Sequence, residues 1–420
     1  MNSETDCYEK TTCRLCGSGR LTKVLSLTPT PPGNHFVPIA DRDKPQKSYP
    51  LALNFCDDCK HVQLTHCVNP VILYQTNYSY VSATSPVFVA YLKSYADEIT
   101  AEYSLPSDAL VLDIGSNDGT ALSFFRAKGF RTLGVDPAVE VAAIAMKKGI
   151  ETIAHFFDDD LAMRNRDRYG TAKLINSHNT CAHIDDLPGV IRGVAHWLDD
   201  DGLFVMEVGY LYDVVSNGWF DTIYHEHVDY HSSIPLIPFF RAQGLEVIDI
   251  KRVSPQGGSI RVVTQKVGGK RPVKSSVAEI IKLEMESGLN HAETFFHFGE
   301  KIEGIKKKLG ELIGGLKRDG KSIAGFGAPT KATTLLSHFN LAYALDFLVE
   351  ENPLKENLLS PGHHIPVLAA EAIYARKPDY VIVLAWNFAD DIMRRHKKYL
   401  EQGGRFVLPM PEPTVIARDN

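Results

Sequence analysis

From Ala109 to Gly119 the chain reads Ala-Leu-Val-Leu-Asp-Ile-Gly-Ser-Asn-Asp-Gly, an apolar run that stops at glycine and gives way to Thr120–Lys128, whose apolar spacing is helical. A buried strand that turns through glycine into a helix belongs to an α/β layer, with its ligand crevice at the carboxyl ends of the strands. Gly115 and Gly119 let a ligand approach the backbone, and the first helical turn offers N–H groups without intrahelical partners. The spacing is Gly-x-x-x-Gly; Asn117 and Thr120 stand where the second and third glycines of a dinucleotide fingerprint would fall, which argues against a nucleotide-dependent oxidoreductase or epimerase.

A second strand, Thr132–Val135, ends in Asp136, 21 residues after Gly115, where this fold binds a ribose diol. Carboxylates at 113 and 136 repel a pyrophosphate and suit the amino-acid and ribose portions of S-adenosylmethionine. The candidate cofactor residues are therefore Asp113, Gly115, Ser116, Asn117, Gly119 and Asp136, with Asn179 from a later strand end. The plain alternative is a tight turn of any α/β domain.

Strands over Ala172–Ser177 and Leu203–Val208 continue the layer, and Ser177–His183 and Glu207–Tyr210 follow at their carboxyl ends. Glu246–Val253 and Ser259–Gln265 succeed one another through Ser-Pro-Gln-Gly-Gly without a crossover helix, which predicts an antiparallel edge on an otherwise parallel sheet. Ser275–Arg318 is helical, in two helices broken around Gly288–His291. A second α/β unit starts at Lys321 and includes Gly325-Phe-Gly327-Ala-Pro-Thr-Lys331; it is either an anion cradle or plain turn geometry. Glu350 lies 25 residues past Gly325, where a second ribose could sit.

At 420 residues the chain is too long for one core. A net charge of −6 without a long basic run gives no reason to bind nucleic acid, and no apolar run suggests a membrane span. Met1–Lys10 has no signal-peptide core, so the expected compartment is the cytoplasm.

Cys13-Arg-Leu-Cys16 and Cys56-Asp-Asp-Cys59 are two knuckles flanking a Pro-rich, strand-poor segment, Thr28–Pro38. So little core needs a staple, and four thiolates suit a closed, tetrahedral, structural Zn²⁺. Tyr74–Ser85 is rich in hydroxyls and reads as a linker or as a wall carrying donors for a polar substrate. Asp221–Tyr230, Asp-Thr-Ile-Tyr-His-Glu-His-Val-Asp-Tyr, is too polar for a core and too aromatic for an ordinary loop. Its His-x-His spacing first suggests a metal site, which the four cysteines make unnecessary, and a histidine base would be lost to a metal.

Several stretches together resemble the zinc-containing, S-adenosylmethionine-dependent C-methyltransferases that act on nucleotide-linked deoxysugars. They are the two knuckles, Val111–Gly119, Asn179 with Ala182-His183, Thr222–His227, Gly257–Arg261, Gly325–Lys331, Val349–Lys355 and Ser360–Pro366, in order over nearly the whole chain. The resemblance implies an α/β chain with a small N-terminal zinc-binding domain (1–70), a central seven-stranded Rossmann-like methyltransferase domain (71–270), and a helical segment plus C-terminal Rossmann-like nucleotide-sugar domain (271–420). It implies chemistry at a carbon beside a ketone, usually C3 next to a C4 keto group, on a TDP- or GDP-linked sugar. It makes His227 the general base, with Tyr224 and Glu226 beside it, Tyr80 across the cleft, and Asn179 and His183 facing the sugar. Ser82, Gly325, Gly327, Lys331, Glu350 and His364 are the candidate substrate contacts. His225 receives no role, O- or N-methylation stays open, and neither monomer nor dimer is favoured.

Overall fold

The computed structural model describes residues 6–74 and 81–418. Its central layer is a seven-stranded sheet in the order Leu245–Val253, Ser259–Lys266, Leu198–Gly209, Ala172–His178, Leu110–Ile114, Arg131–Val135 and Thr152–Ile153. Leu110–Ile114 is buried on both faces: Leu110, Leu112 and Ile114 join one apolar cluster and Val111 joins another. That two-sided burial explains why the strand reads as a continuous apolar run. The expected antiparallel strand is present, with a correction to its place. Ser259–Lys266 pairs antiparallel with both Leu198–Gly209 and Leu245–Val253, so it lies second from the rim and Leu245–Val253 forms the edge.

Pro86–Glu102 is a helix that buries Leu92, Tyr95, Ala96 and Ile99 along one face. Ser85 caps it by accepting the Phe88 amide, and Pro86 occupies the first turn, where a missing N–H costs nothing. The two later helices run Ser275–Glu286 and Ala292–Arg318. The longer one buries Phe295, Phe298, Ile302, Ile305, Leu309 and Ile313, a single stripe at helical spacing.

The carboxyl-terminal unit is a six-stranded sheet with Ile323–Phe326 between Leu348–Glu350 and Tyr380–Val383, parallel to both. No helix among the described residues is long and apolar enough to cross a membrane.

The amino-terminal region holds more sheet than its proline content suggests. Leu21–Thr30, Tyr49–Cys56 and Val62–Leu64 form three strands of an antiparallel sheet whose fourth strand is Asp229–Tyr230, supplied from the middle of the chain. One apolar cluster runs from this sheet through Leu211–Tyr230 to the Ala292–Arg318 helix and the carboxyl-terminal strands. The segment bearing the candidate base is thereby packed between the amino-terminal sheet and the carboxyl-terminal unit.

Candidate active site

A cavity of about 1060 Å³ opens at the carboxyl ends of the central parallel strands. Asp113, Gly115, Ser116, Asn117, Asp136 and Asn179 line its floor. Gly115 has φ +74°, and a Cβ there would stand 2.1 Å from Thr180 Oγ1, so the turn requires glycine on both counts. Asp136 accepts the amides of Asn117 (2.9 Å) and Ala138 (2.8 Å), which fix its orientation and leave further lone pairs free. Burial pushes its pKa up against those two bonds, with Asp113 adding to the rise. Asp113 Oδ1 and Ser116 Oγ are buried and have no hydrogen-bond partner among the described residues. Unspent polar atoms on a cavity wall suit a polar ligand such as the amino-acid and ribose parts of S-adenosylmethionine.

Gly119 does not line the cavity. It precedes the helix in left-handed conformation (φ +75°), with Ala145 and Ile150 packed where a side chain would go, so its part is the turn itself. Ser82 lies on the cofactor side, its amide donating to Asn117 Oδ1 at 2.8 Å. Tyr80 falls outside the described residues. His178, which the sequence reading did not single out, lines the same floor, its Nδ1 3.8 Å from Asp113 Oδ1 and neither ring nitrogen hydrogen-bonded among the described residues.

Above this floor stands Asp221–Tyr230, which turns at His225–Glu226 and so lacks the strand geometry that would aim alternate side chains together. His225 points into the amino-terminal sheet, its Nε2 2.9 Å from the Thr30 carbonyl. His227 points into the cavity. Its Nδ1 donates to the Thr222 carbonyl at 2.9 Å, which leaves Nε2 as the acceptor for the Tyr224 hydroxyl at 2.8 Å. Burial, with the neighbouring His183 ring adding to it, lowers the His227 pKa to about 3, so the imidazole is a free base at neutral pH. His183 stands edge-on to it at 5.0 Å between centroids, with its Nδ1 3.1 Å from the Tyr74 hydroxyl; burial lowers its pKa to about 4. Glu226 also lines the cavity and accepts from Asn34 Nδ2 at 2.9 Å. Burial raises its pKa to about 7, against the pull of Asn34 and Lys355.

The far wall comes from the carboxyl-terminal unit. Lys331 Nζ lies 2.5 Å from Asn387 Oδ1 and 3.8 Å from Asp221 Oδ2, above the Trp386 ring. Lys355 Nζ donates to the Ala328 carbonyl at 2.8 Å and lies over the Phe36 ring. Burial lowers the pKa of both lysines, as it does for ammonium groups facing a low-dielectric space. The Thr330 hydroxyl donates to Asn34 Oδ1 at 2.8 Å and so ties this wall to the amino-terminal loop.

The other expected substrate contacts stand behind the wall. Gly325 lies in a strand, where a Cβ would meet Leu348 Cδ2 at 2.6 Å, and a Cβ on Gly327 would meet Ala385 Cβ at 2.9 Å; both glycines serve close packing at the turn. Glu350 is engaged by the amides of Ala328, Glu351 and Asn352. His364 Nδ1 donates to the Arg42 carbonyl. Asn34, Lys355 and Asn387 do line the cavity, and the sequence reading did not choose them. Lys355 ends the family-like run Val349–Lys355, which was the one available signal.

Cys13, Cys16, Cys56 and Cys59 bring their sulfurs within 4.8 Å of one another. Cys13–Cys59 and Cys16–Cys56 are 3.5 and 3.6 Å apart, near the ~3.8 Å sulfur separation that ~2.3 Å Zn–S bonds give in a tetrahedron. The four thiolates hold a structural Zn²⁺ with no open position for a substrate.

Three family models match the chain: a putative zinc binding domain over residues 13–74, a methyltransferase domain over 88–250 and a C-methyltransferase C-terminal domain over 254–411. The C-methyltransferase NovU of Streptomyces niveus is 34% identical over 409 residues, which cover 97% of each chain. Among solved structures, an S-adenosylmethionine-dependent methyltransferase from Clostridium acetobutylicum covers 42% of this chain and 91% of its own, with 17% identity and a TM-score of 0.35. Magnesium protoporphyrin IX methyltransferase from Synechocystis with bound SAM covers 42% and 79%, with 13% identity and a TM-score of 0.33.

Proposed function

The chain belongs to the zinc-containing, S-adenosylmethionine-dependent C-methyltransferase family, and from that premise we propose that it methylates a carbon beside the ketone of a nucleotide-linked keto-deoxysugar, at C3 next to a C4 keto group, in the making of a branched sugar. The observation that carries the proposal is the Tyr224–His227 pair, a free-base imidazole in a cavity with cofactor-type carboxylates on one side and two lysines on the other.

The ketone makes the neighbouring C–H acidic by spreading charge onto oxygen. His227 Nε2 takes that proton, and the electron pair of the broken C–H bond delocalises into the enolate. Before that transfer the Tyr224 hydroxyl turns its hydrogen from Nε2 to the ketone oxygen, which frees the single Nε2 lone pair for the proton and leaves the phenol donating to the enolate oxygen as it forms. Nδ1 stays on the Thr222 carbonyl throughout, so the ring keeps its aim. When bound, S-adenosylmethionine supplies an electrophilic methyl group with its own leaving group. Asn179 and His183 hold the sugar on the cofactor side, while Lys331 and Lys355 offer their charges to a nucleoside diphosphate, TDP or GDP.

The test is deuterium wash-in at the sugar carbon in D2O. Exchange that needs the enzyme and is lost in His227→Asn supports the C–H route; product formed without exchange would point to methyl transfer onto oxygen or nitrogen. Thermal-shift screening of TDP-, GDP-, UDP- and CDP-sugars, with and without S-adenosylmethionine, identifies the nucleotide by the largest shift.

A further inference from the structure

Arg14 occupies the interior of the first knuckle, between two zinc ligands, yet its side chain reaches towards Asp185 and Asp229, two residues that line the cavity. It is 3% exposed. Its Nε lies 2.9 Å from Asp185 Oδ1 and 4.0 Å from Asp229 Oδ1, and its Nη1 donates to the Leu64 carbonyl at 3.0 Å. Its backbone amide donates to Gln63 Oε1 at 2.8 Å.

The partners have a common position. Asp185 follows His183 by two residues, and Asp229 follows His227 by two. The two segments also meet directly, the Val228 amide donating to the Ala182 carbonyl at 2.8 Å. The strand leaving the second knuckle holds the same place: the Leu64 amide donates to the Val228 carbonyl at 2.9 Å, and Gln63 pairs with Asp229.

We propose that Arg14 is a positioning residue for the methyl transfer, carrying the fixed geometry of the zinc knuckle to His183 and His227 by holding Asp185 directly and by lying against Asp229, whose Oδ1 is 2.8 Å from His61 Nε2. The inference rests on the reading of His227 as proton acceptor. Four thiolates on one metal restrain the knuckle, whereas Asp221–Tyr230 holds only the end of a three-residue 3-10 helix and a two-residue strand. A planar guanidinium held at several points transmits position better than a flexible ammonium would.

The experiment uses the zinc-loaded full chain with Arg14→Met, Arg14→Lys and Asp185→Asn. Zinc content, S-adenosylmethionine affinity, kcat, KM and amide deuterium uptake over 180–186 and 222–231 are measured. Arg14→Met is expected to keep zinc and cofactor affinity, to lose about 100-fold in kcat, as a displacement of about 1 Å at a reacting group does, and to take up deuterium faster in both segments. Arg14→Lys is expected to recover part of the loss. An unchanged kcat or unchanged uptake in zinc-replete Arg14→Met overturns the proposal. Should Arg14→Met lose zinc or fail to fold, Asp185→Asn decides: faster uptake over 180–186 with a lower kcat supports the assignment, and wild-type behaviour overturns it. Activity retained by His227→Asn would remove the base assignment, while the uptake result would still report whether Arg14 orders these segments.

Discussion

The Tyr224 hydroxyl lies 2.8 Å from His227 Nε2, and the Thr222 carbonyl fixes the opposite end of the same ring. One nitrogen is therefore committed to the backbone and the other is left to exchange a proton. His227→Asn keeps much of the polar shape and removes the basicity, so turnover is expected to fall about 10²- to 10⁴-fold with S-adenosylmethionine affinity unchanged. Tyr224→Phe leaves the base and deletes a donor to the enolate, so its loss of kcat should be smaller. Steady-state kinetics with calorimetric cofactor titration measures both, and full activity in His227→Asn would sink the base assignment.

The pH dependence should follow Glu226, not His227. With a pKa lowered to about 3, His227 is already neutral over the physiological range, and its own titration lies far below it. Glu226, raised to about 7 by burial, changes charge within the working range, beside Asn34 and Lys355. The rate profile is expected to bend near pH 7, and Glu226→Gln to straighten it there.

The parts of the fold that were legible in the sequence are those whose cause is local. Val111–Gly119 announces a buried strand and its turn because burial on two faces and a positive φ each demand particular residue types. Asp229–Tyr230 gives no such sign, because its partner Val62–Leu64 lies far away along the chain. His225 could not be placed for the same reason: its anchor is the Thr30 carbonyl, and only the turn at 225–226 separates its direction from that of His227. Gly325 and Gly327 resemble an anion loop in sequence because close packing and ligand approach both ask for a missing Cβ, and here packing against Leu348 and Ala385 takes it.

Gly115→Ala tests the cofactor floor. The substitution places a Cβ at φ +74° and 2.1 Å from Thr180 Oγ1, too close for any side-chain adjustment short of moving the loop that carries Asn179. Loss of S-adenosylmethionine binding in calorimetry is expected, together with a lowered Tm, whereas Gly310→Ala, inside a helix and with open space around its Cβ, should bind the cofactor normally.

Lys331→Met and Lys355→Met should weaken the nucleotide-sugar and spare the cofactor. A charge-assisted hydrogen bond to phosphate contributes about 1.5–3 kcal/mol, so each change is expected to raise the sugar-nucleotide Kd about ten- to a hundredfold. Lys331 also faces Asp221, so its loss leaves that carboxylate without its cation; Lys331→Arg separates the two effects by restoring the charge. Equal loss of cofactor and sugar-nucleotide affinity would instead indicate general damage to the cavity.

Acid should unfold the protein through its neutral histidines. Burial lowers the pKa of His183 and His225 to about 4 and that of His227 to about 3, whereas the unfolded chain titrates near ~6.5. Between those values the unfolded state binds more protons, so the stability present above pH ~6.5 is lost as pH falls, by about 1.4 kcal/mol per unit for each fully displaced group. Glu226 has the opposite sign: its raised pKa means that stability is lost as pH rises from ~4.3 through about 7. His231 and His338, likewise lowered to about 4, add to the histidine slope and set it against the raised carboxyls Glu226, Asp136, Asp213, Asp221 and Glu284, so Tm is expected to rise between pH 4 and 6.5. His225, which touches the Thr30 carbonyl and not the cavity, isolates the effect from catalysis. In His225→Gln the Tm should be lower at pH 7 and should change less between pH 4 and 6.5; a slope equal to the wild type would show that this imidazole protonates in the folded protein as readily as in the unfolded chain.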